Sequence, residues 1–140
     1  MTMPKGHLDP SDMDRALEQA RGAAARHPHL RLLLLFGSRA RDSARPESDW
    51  DFGYLADDAI DMLALRAELV EGLSSDRIDL ADLSRAGGLM RYRAARDGRL
   101  LYEREPGCFD RFWLEAVGFW CDAQPVLAAS YEEVLARLPR

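Results

Sequence analysis

Three carboxylates in this chain fall where they can act together. Asp49 and Asp51 flank Trp50 in Asp49–Leu55, a segment that reads as a strand. Side chains alternate faces along a strand, so both carboxylates project to the same side. Asp79 lies in Arg77–Leu83, the next apolar strand-like segment, where a lone charge is costly unless it is paired or binds a metal. If the two strands are neighbours, the three carboxylates converge on one spot. That is a donor set for a hard cation: Mg²⁺ takes a few carboxylates and completes its shell with water and substrate phosphate. Two such ions, roughly 3.5–4 Å apart, clamp the attacking and leaving oxygens of an in-line displacement. In that arrangement Asp49 and Asp51 hold the triphosphate-bound ion and bridge to the second. Asp79 completes the second site and helps to deprotonate an acceptor hydroxyl.

Gly37-Ser38 supplies the complementary half. It follows an apolar strand and precedes a turn, so its backbone N–H groups can face phosphate oxygens, and glycine permits the close approach. The Ser38 hydroxyl can donate to a terminal phosphate, and Arg39 and Arg41 can neutralise developing negative charge. Each feature alone is common: a Gly-Ser after a strand is usually a turn, an Asp-X-Asp pair a solvated strand end, two arginines surface charge. Their conjunction is specific, because order, spacing and secondary structure must all agree.

The elements that must position these groups are legible in the periodicity. Ser11 is a candidate N-cap, and Met13, Leu17, Ala20 and Ala24 predict a helix running to about Arg26. His27-Pro28-His29 ends it, since the residue before proline avoids the helical region. Leu30 to Phe36 is a short continuous apolar run, the pattern of a buried strand. Arg39 to Ser48 is a polar connection with room for one helical turn. Asp58 is a candidate cap for a second helix striped by Met62, Leu65, Leu69 and Leu73. Leu89 to Asp97 reads as a third helix stopped by Gly98, and Leu100 to Tyr102 as a short last strand. Glu105-Pro106-Gly107 is the one internal boundary, dividing a domain over 8–105 from a helical extension over 106–140. In that extension Phe109, Phe112, Trp113, Ala116 and Trp120 share a face, Pro125 interrupts, and a final helical segment runs to Leu138. The fold class expected is α/β (α+β): a small mixed sheet flanked by helices, with a C-terminal helical extension.

Composition narrows the function classes. A chain of 140 residues, 47% apolar and 31% charged, is that of one globular domain. A net charge of −5 argues against a non-specific grip on DNA or RNA, which needs a basic face. It leaves nucleotide binding open, because bound metal supplies positive charge. Cys108 and Cys121 have neither zinc-ligand spacing nor a disulfide framework and read as reduced thiols. No apolar stretch has the length of a membrane span, and Met1 to Pro10 lacks the apolar core of a signal peptide, so a cytoplasmic protein is expected.

With these residues in place, the chain resembles the minimal nucleotidyltransferases of the DNA polymerase β superfamily. Their signature is Gly-Ser, ten residues, Asp-X-Asp, and a third Asp on a later strand. Here it reads Gly37-Ser38, Arg39 to Ser48, Asp49-Trp50-Asp51, then Asp79. The segments Arg77-Ile78-Asp79-Leu80-Ala81-Asp82-Leu83-Ser84-Arg85-Ala86 and Arg96-Asp97-Gly98-Arg99-Leu100-Leu101-Tyr102-Glu103 also look like this family. The likeness covers roughly Leu8 to Glu105. More narrowly, the chain is similar to the MntA-type antitoxins paired with HEPN-domain ribonuclease toxins. That likeness implies a polymerase β-like nucleotidyltransferase fold, ATP as substrate, two Mg²⁺ ions, and transfer of AMP onto a tyrosine of the toxin, which silences it. Two departures from the family pattern stand out. Asp42 occupies a place where relatives often have glycine, and Trp50 and Gly53 replace the usual aliphatic residues. Two other functions remain in view: transfer to a small hydroxylated molecule, as in aminoglycoside nucleotidyltransferases, and neutralisation of a toxin by contact without catalysis.

Other groups carry less. Asp82 falls on the face opposite Asp79 and reads as a strand-end carboxylate. His27 and His29 read as surface residues. Arg91, Arg93, Arg96 and Arg99 form either a solvated helix face or a guide for phosphate or an acidic partner. The aromatic stripe of the extension serves either as core or as the surface of a homo- or hetero-oligomer.

Overall fold

Leu30–Phe36 forms β1, the central strand of a four-stranded mixed sheet ordered β3-β2-β1-β4. The computed structural model describes residues 10–40, 48–57, 60–123 and 136–137. β2 (Trp50–Ala56) and β4 (Arg99–Glu103) both run antiparallel to β1, and β3 (Ile78–Asp82) runs parallel to β2. A strand covered on both faces needs apolar residues on both, which is why Leu32 to Phe36 of β1 is a continuous apolar run rather than alternating, while Arg31, near the strand's start, is only half-buried and pairs with Asp57. Leu30, Leu33 and Leu35 belong to one core and Leu32 and Leu34 to the other. A register irregularity between Leu30 and Leu32 accounts for the break in the period of two.

Helices cover the two faces in pairs. α1 (Pro10–Ala25) and α2 (Met62–Leu73) close the first, burying Leu17, Ala20, Ala24, Leu65 and Leu69 against Trp50, Phe52 and Ile78. α3 (Gly88–Asp97) and α4 (Cys108–Ala123) close the second, where Ala94, Ala95, Cys108, Phe112 and Ala116 meet Leu32, Leu34, Leu55 and Leu83. Each fully buried leucine contributes roughly 1.5–3 kcal/mol. The segment expected as an extension thus supplies α4, which buries Phe112 to 2% exposure in the second core.

Several expectations are adjusted. α1 already includes Pro10, which places Ser11 inside the first turn rather than at the cap. β2 begins at Trp50, so Asp49 stands just before the strand. Asp61, not Asp58, caps α2: its carboxylate accepts from the Ala64 N–H at 3.0 Å, and Asp58 lies outside the described residues. Gly98 stops α3 in an extended conformation, not a left-handed one, and a Cβ there would strike the Ala94 carbonyl oxygen. The aromatic stripe divides between the two readings offered for it. Phe112 is core, whereas Trp113 is 41% exposed and Trp120 stacks on Tyr92 at 5.6 Å. The interruption at Pro125 lies outside the described residues, and of the last segment only 136–137 is described, as helix.

His27 is not a surface residue. Its side chain is 14% exposed, and its Nε2 stands 2.7 Å from Glu68 Oε2, tying the end of α1 to α2. The hydrogen bond from His27 holds the Glu68 carboxyl below its usual value, with the His27 and Arg26 charges assisting. A carboxyl depressed in the folded state adds stability at pH values above its unfolded pKa and loses it as pH falls through the folded value. Glu68→Gln is expected to lower stability at neutral pH by about 0.5 kcal/mol, the scale of a partly exposed pair. Urea unfolding at a series of pH values checks this: the difference from wild type should vanish at acid pH.

Candidate active site

Of the predicted site residues, Gly37, Asp51 and Asp79 gather at one end of the sheet. Register pairs Phe36 with Asp51 across β1–β2, and Asp51 with Asp79 across the parallel β2–β3 pair. The Trp50 N–H donates to the Arg77 carbonyl at 2.8 Å, fixing the start of β2 beside the start of β3. Trp50, Phe52 and Ile78 point into the α1/α2 core. By alternation, Asp51 and Asp79 project to the other face, beyond the stretch covered by α3 and α4.

β1 ends in a turn that completes the site. Gly37, Ser38 and Arg39 form a single 3₁₀ turn, in which Gly37 has φ +74°. A Cβ on Gly37 would overlap the Asp51 carboxylate, so the turn backbone and this carboxylate share a space that only glycine leaves open. Along this end of the sheet the order is therefore Asp79, Asp51, Gly37. Ser38 is half-buried.

The electrostatics at Asp51 are those of crowded carboxylates. Burial pushes the Asp51 carboxyl above the usual carboxylate range; repulsion from Asp79 and then Asp49, and a side-chain hydrogen bond with Asp79, act in the same direction. Among the described residues no three carboxylate, histidine or cysteine side chains form a ready-made metal cage. A closed cage is not what Mg²⁺ requires, because it keeps several waters and takes substrate phosphate into its shell. Crowded carboxylates, with Asp51 half-buried and no cation among the described residues acting on it, fit a divalent ion by the chemistry of the donors.

Arg39 occupies a different place from the one expected of a phosphate ligand. It is 3% exposed, its guanidinium lies 4.1 Å over the Trp50 ring, and its Nη2 donates to the Ser48 carbonyl at 2.8 Å. Desolvation lowers its pKa, against the pull of Asp49. Arg39 thus ties the end of the connecting segment to the strand that carries Asp51, bracing the aspartate pair from behind. Arg39→Ala is expected to cost about 1–3 kcal/mol, because it strips the half-buried Ser48 carbonyl of its donor and leaves a gap beside Trp50. Arg39→Lys should restore little, since an ammonium lacks the planar face that stacks on the indole. Thermal unfolding of the two variants checks both statements. Arg41 lies outside the described residues.

The remaining candidates separate cleanly. Asp82 accepts from the Ser84 N–H at 3.0 Å and the Ser84 hydroxyl at 2.6 Å, closing the turn after β3. Of the arginine cluster, Arg93 and Arg96 line a cleft of about 710 Å³ with Phe36, Gly37, Leu89, Met90 and Asp97. The sequence reading did not identify this cleft or its Leu89 and Met90 wall. The spacing of Leu89, Arg93 and Asp97, four residues apart on one helix, was the available signal. No described helix is long and apolar enough to cross a membrane, and both cysteines are free.

Comparison with known proteins agrees with the geometry. The protein adenylyltransferase MntA of Aphanizomenon flos-aquae (strain 2012/KM1/D3) is 37% identical over 97 residues. The match covers 61% of this chain and 65% of that protein, just under two thirds of its length. The protein adenylyltransferase MntA of Shewanella oneidensis (strain MR-1) is 29% identical over 112 residues, covering 78% of this chain and 79% of that protein. Among solved structures, a crystal structure of a toxin–antitoxin with AMP-PNP superposes with a TM-score of 0.64 at 25% identity, covering 88% of this chain and 98% of that one. The family described as polymerase beta, nucleotidyltransferase matches residues 18–107. With the glycine turn, the paired strands and this match in agreement, the chain belongs to the polymerase β nucleotidyltransferase family.

Proposed function

We propose that this chain transfers AMP from ATP to a protein hydroxyl, a tyrosine of a HEPN-domain ribonuclease toxin, and so acts in the cytoplasm as the toxin's antitoxin. The observation that carries the reading is the register of Asp51 against Asp79 with the Gly37 backbone closed on the Asp51 carboxylate. The adenylyltransferase relatives and the nucleotide-bound toxin–antitoxin structure support protein as the acceptor class.

In this reading Asp49, Asp51 and Asp79 would hold two Mg²⁺ ions, which would supply Lewis acidity toward the phosphoryl oxygens and offset the crowded carboxylate charge. The Gly37 and Ser38 N–H groups and the Ser38 hydroxyl bind the triphosphate. Asp79 takes the proton of the acceptor hydroxyl, whose oxygen forms a bond to the α-phosphorus. The bond between the α-phosphorus and its bridging oxygen breaks, and pyrophosphate leaves with that electron pair. The strand ends hold these groups before substrate arrives, so their positioning adds no ordering cost at the moment of reaction.

One observation favours a contact contribution beside the chemistry. Trp113, Leu114 and Phe119 of α4 are exposed, which suits a partner surface. Co-production with a HEPN toxin in growing cells separates the two contributions. The proposal expects wild type to relieve growth arrest and the Asp49→Ala/Asp51→Ala double variant to fail despite retaining the complex. Full relief by that variant would leave contact alone as the mechanism. Transfer to a small hydroxylated molecule instead would appear as relief that is independent of any toxin tyrosine.

A further inference from the structure

The cleft beside Gly37 is outside the aspartate site, yet it continues it. At this end of the sheet the order of strands puts Asp79 on β3, Asp51 on β2 and Gly37 at the end of β1. On the far side of Gly37 from the aspartates, α3 runs over β1, and its Leu89, Met90, Arg93, Arg96 and Asp97 wall the cleft of about 710 Å³. Asp51, Gly37 and the cleft therefore lie in a row on one face of the sheet. The row passes from carboxylates, which need a cation, over a backbone turn, to arginines.

The arginines of this helix are not equivalent. Arg96 is committed to Asp97 through two hydrogen bonds of 3.0 and 2.9 Å. Arg91 points the other way, over the Phe112 ring and toward Glu115. Arg93 is exposed, lines the cleft, and has no carboxylate within ion-pair distance among the described residues. In a chain with a net charge of −5, an uncompensated guanidinium heading a cleft next to a phosphate-binding turn is a positive site awaiting an anion.

We propose that Arg93 receives the β- and γ-phosphates of the bound nucleoside triphosphate and holds the pyrophosphate as it leaves. The inference rests on the nucleotidyl-transfer reading. That reading puts the α-phosphate at the aspartates and the Gly37–Ser38 turn under the next phosphates, so the chain of phosphates points along the row toward Arg93. The base and ribose then extend away from the cleft, and Leu89 and Met90 form its apolar floor rather than a base clamp. A guanidinium suits this place because its fork spans two phosphate oxygens at once.

The test is calorimetric binding in the presence of Mg²⁺, using ATP, inorganic pyrophosphate and AMP as probes. Arg93→Ala should weaken ATP and pyrophosphate about ten- to hundredfold, the loss of a charge-assisted contact, and leave AMP unchanged. Arg93→Lys should recover part of the loss, and Arg99→Ala, which removes an exposed charge outside the cleft, should change nothing. Equal weakening of ATP and AMP by Arg93→Ala would overturn the inference by placing the nucleoside in the cleft. Unchanged ATP affinity would overturn it outright while leaving nucleotidyl transfer standing. A wild-type protein that binds neither ATP nor pyrophosphate would remove the underlying reading as well.

Discussion

Asp51→Asn is expected to abolish transfer while leaving the metal-free protein at least as stable as wild type. The two effects have one cause. Asp51 is half-buried, faces Asp79 across the strand pair and feels Asp49, so its negative charge is unfavourable in the folded state without a cation. Asparagine keeps the shape and removes the charge. Most replacements at a well-packed position lower stability by about 1 kcal/mol; a rise in Tm would mark a residue kept for chemistry. Activity should fall about a thousandfold or more, because losing a metal ligand forfeits several kcal/mol of charge stabilisation and each 1.4 kcal/mol is tenfold in rate. Mg²⁺ in hundredfold excess over its Kd should stabilise wild type by about 2.7 kcal/mol and the variant by little. Thermal unfolding with and without Mg²⁺, beside an activity assay, reads all three.

Gly37→Ala should be nearly as damaging to activity, by a different route. Its φ of +74° costs an alanine about 1–2 kcal/mol. Relaxing the turn does not resolve the conflict, because the added Cβ points at the Asp51 carboxylate. Either the carboxylate swings off its register with Asp79 or the turn withdraws from the phosphates. A displacement of about 1 Å at reacting groups is worth about a hundredfold in rate. The expected result is a protein that folds, is destabilised by about 1–3 kcal/mol, and has lost at least that factor in kcat. Full activity in Gly37→Ala would mean that the turn backbone does not approach substrate.

Much of this site was legible because the relevant signals are local. Period-two alternation puts Asp51 on the face opposite Trp50 and Phe52, although Asp49 falls just before β2, and the charge between Ile78 and Leu80 in β3 marks Asp79. The continuous apolar run of β1 identifies a strand covered on both sides, and its bounds, Leu30–Phe36, are those observed. What local pattern does not carry is partner choice across the fold. Arg39 beside a phosphate-type turn reads as a phosphate ligand, but the indole of Trp50 and the Ser48 carbonyl, nine residues away, claim its guanidinium. His27 next to a proline reads as exposed, and only the approach of α2 brings Glu68 to it. The cleft needs α3 placed over the end of β1, a tertiary fact that helix spacing suggests only in retrospect. α4 shows the same limit: its stripe is one pattern in sequence, and packing divides it into buried Phe112 and exposed Trp113.

The central claim, that this site moves a nucleoside monophosphate, is tested most directly by the position of a label. The protein is incubated with Mg²⁺, a HEPN-domain toxin, and ATP labelled at either the α- or the γ-phosphorus. The account predicts that α-label becomes covalently attached to the toxin, that γ-label is released as pyrophosphate, and that the Asp49→Ala/Asp51→Ala variant transfers neither. Attachment of the γ-label would make the protein a kinase, and attachment of neither label by wild type, with the complex intact, would contradict the catalytic account.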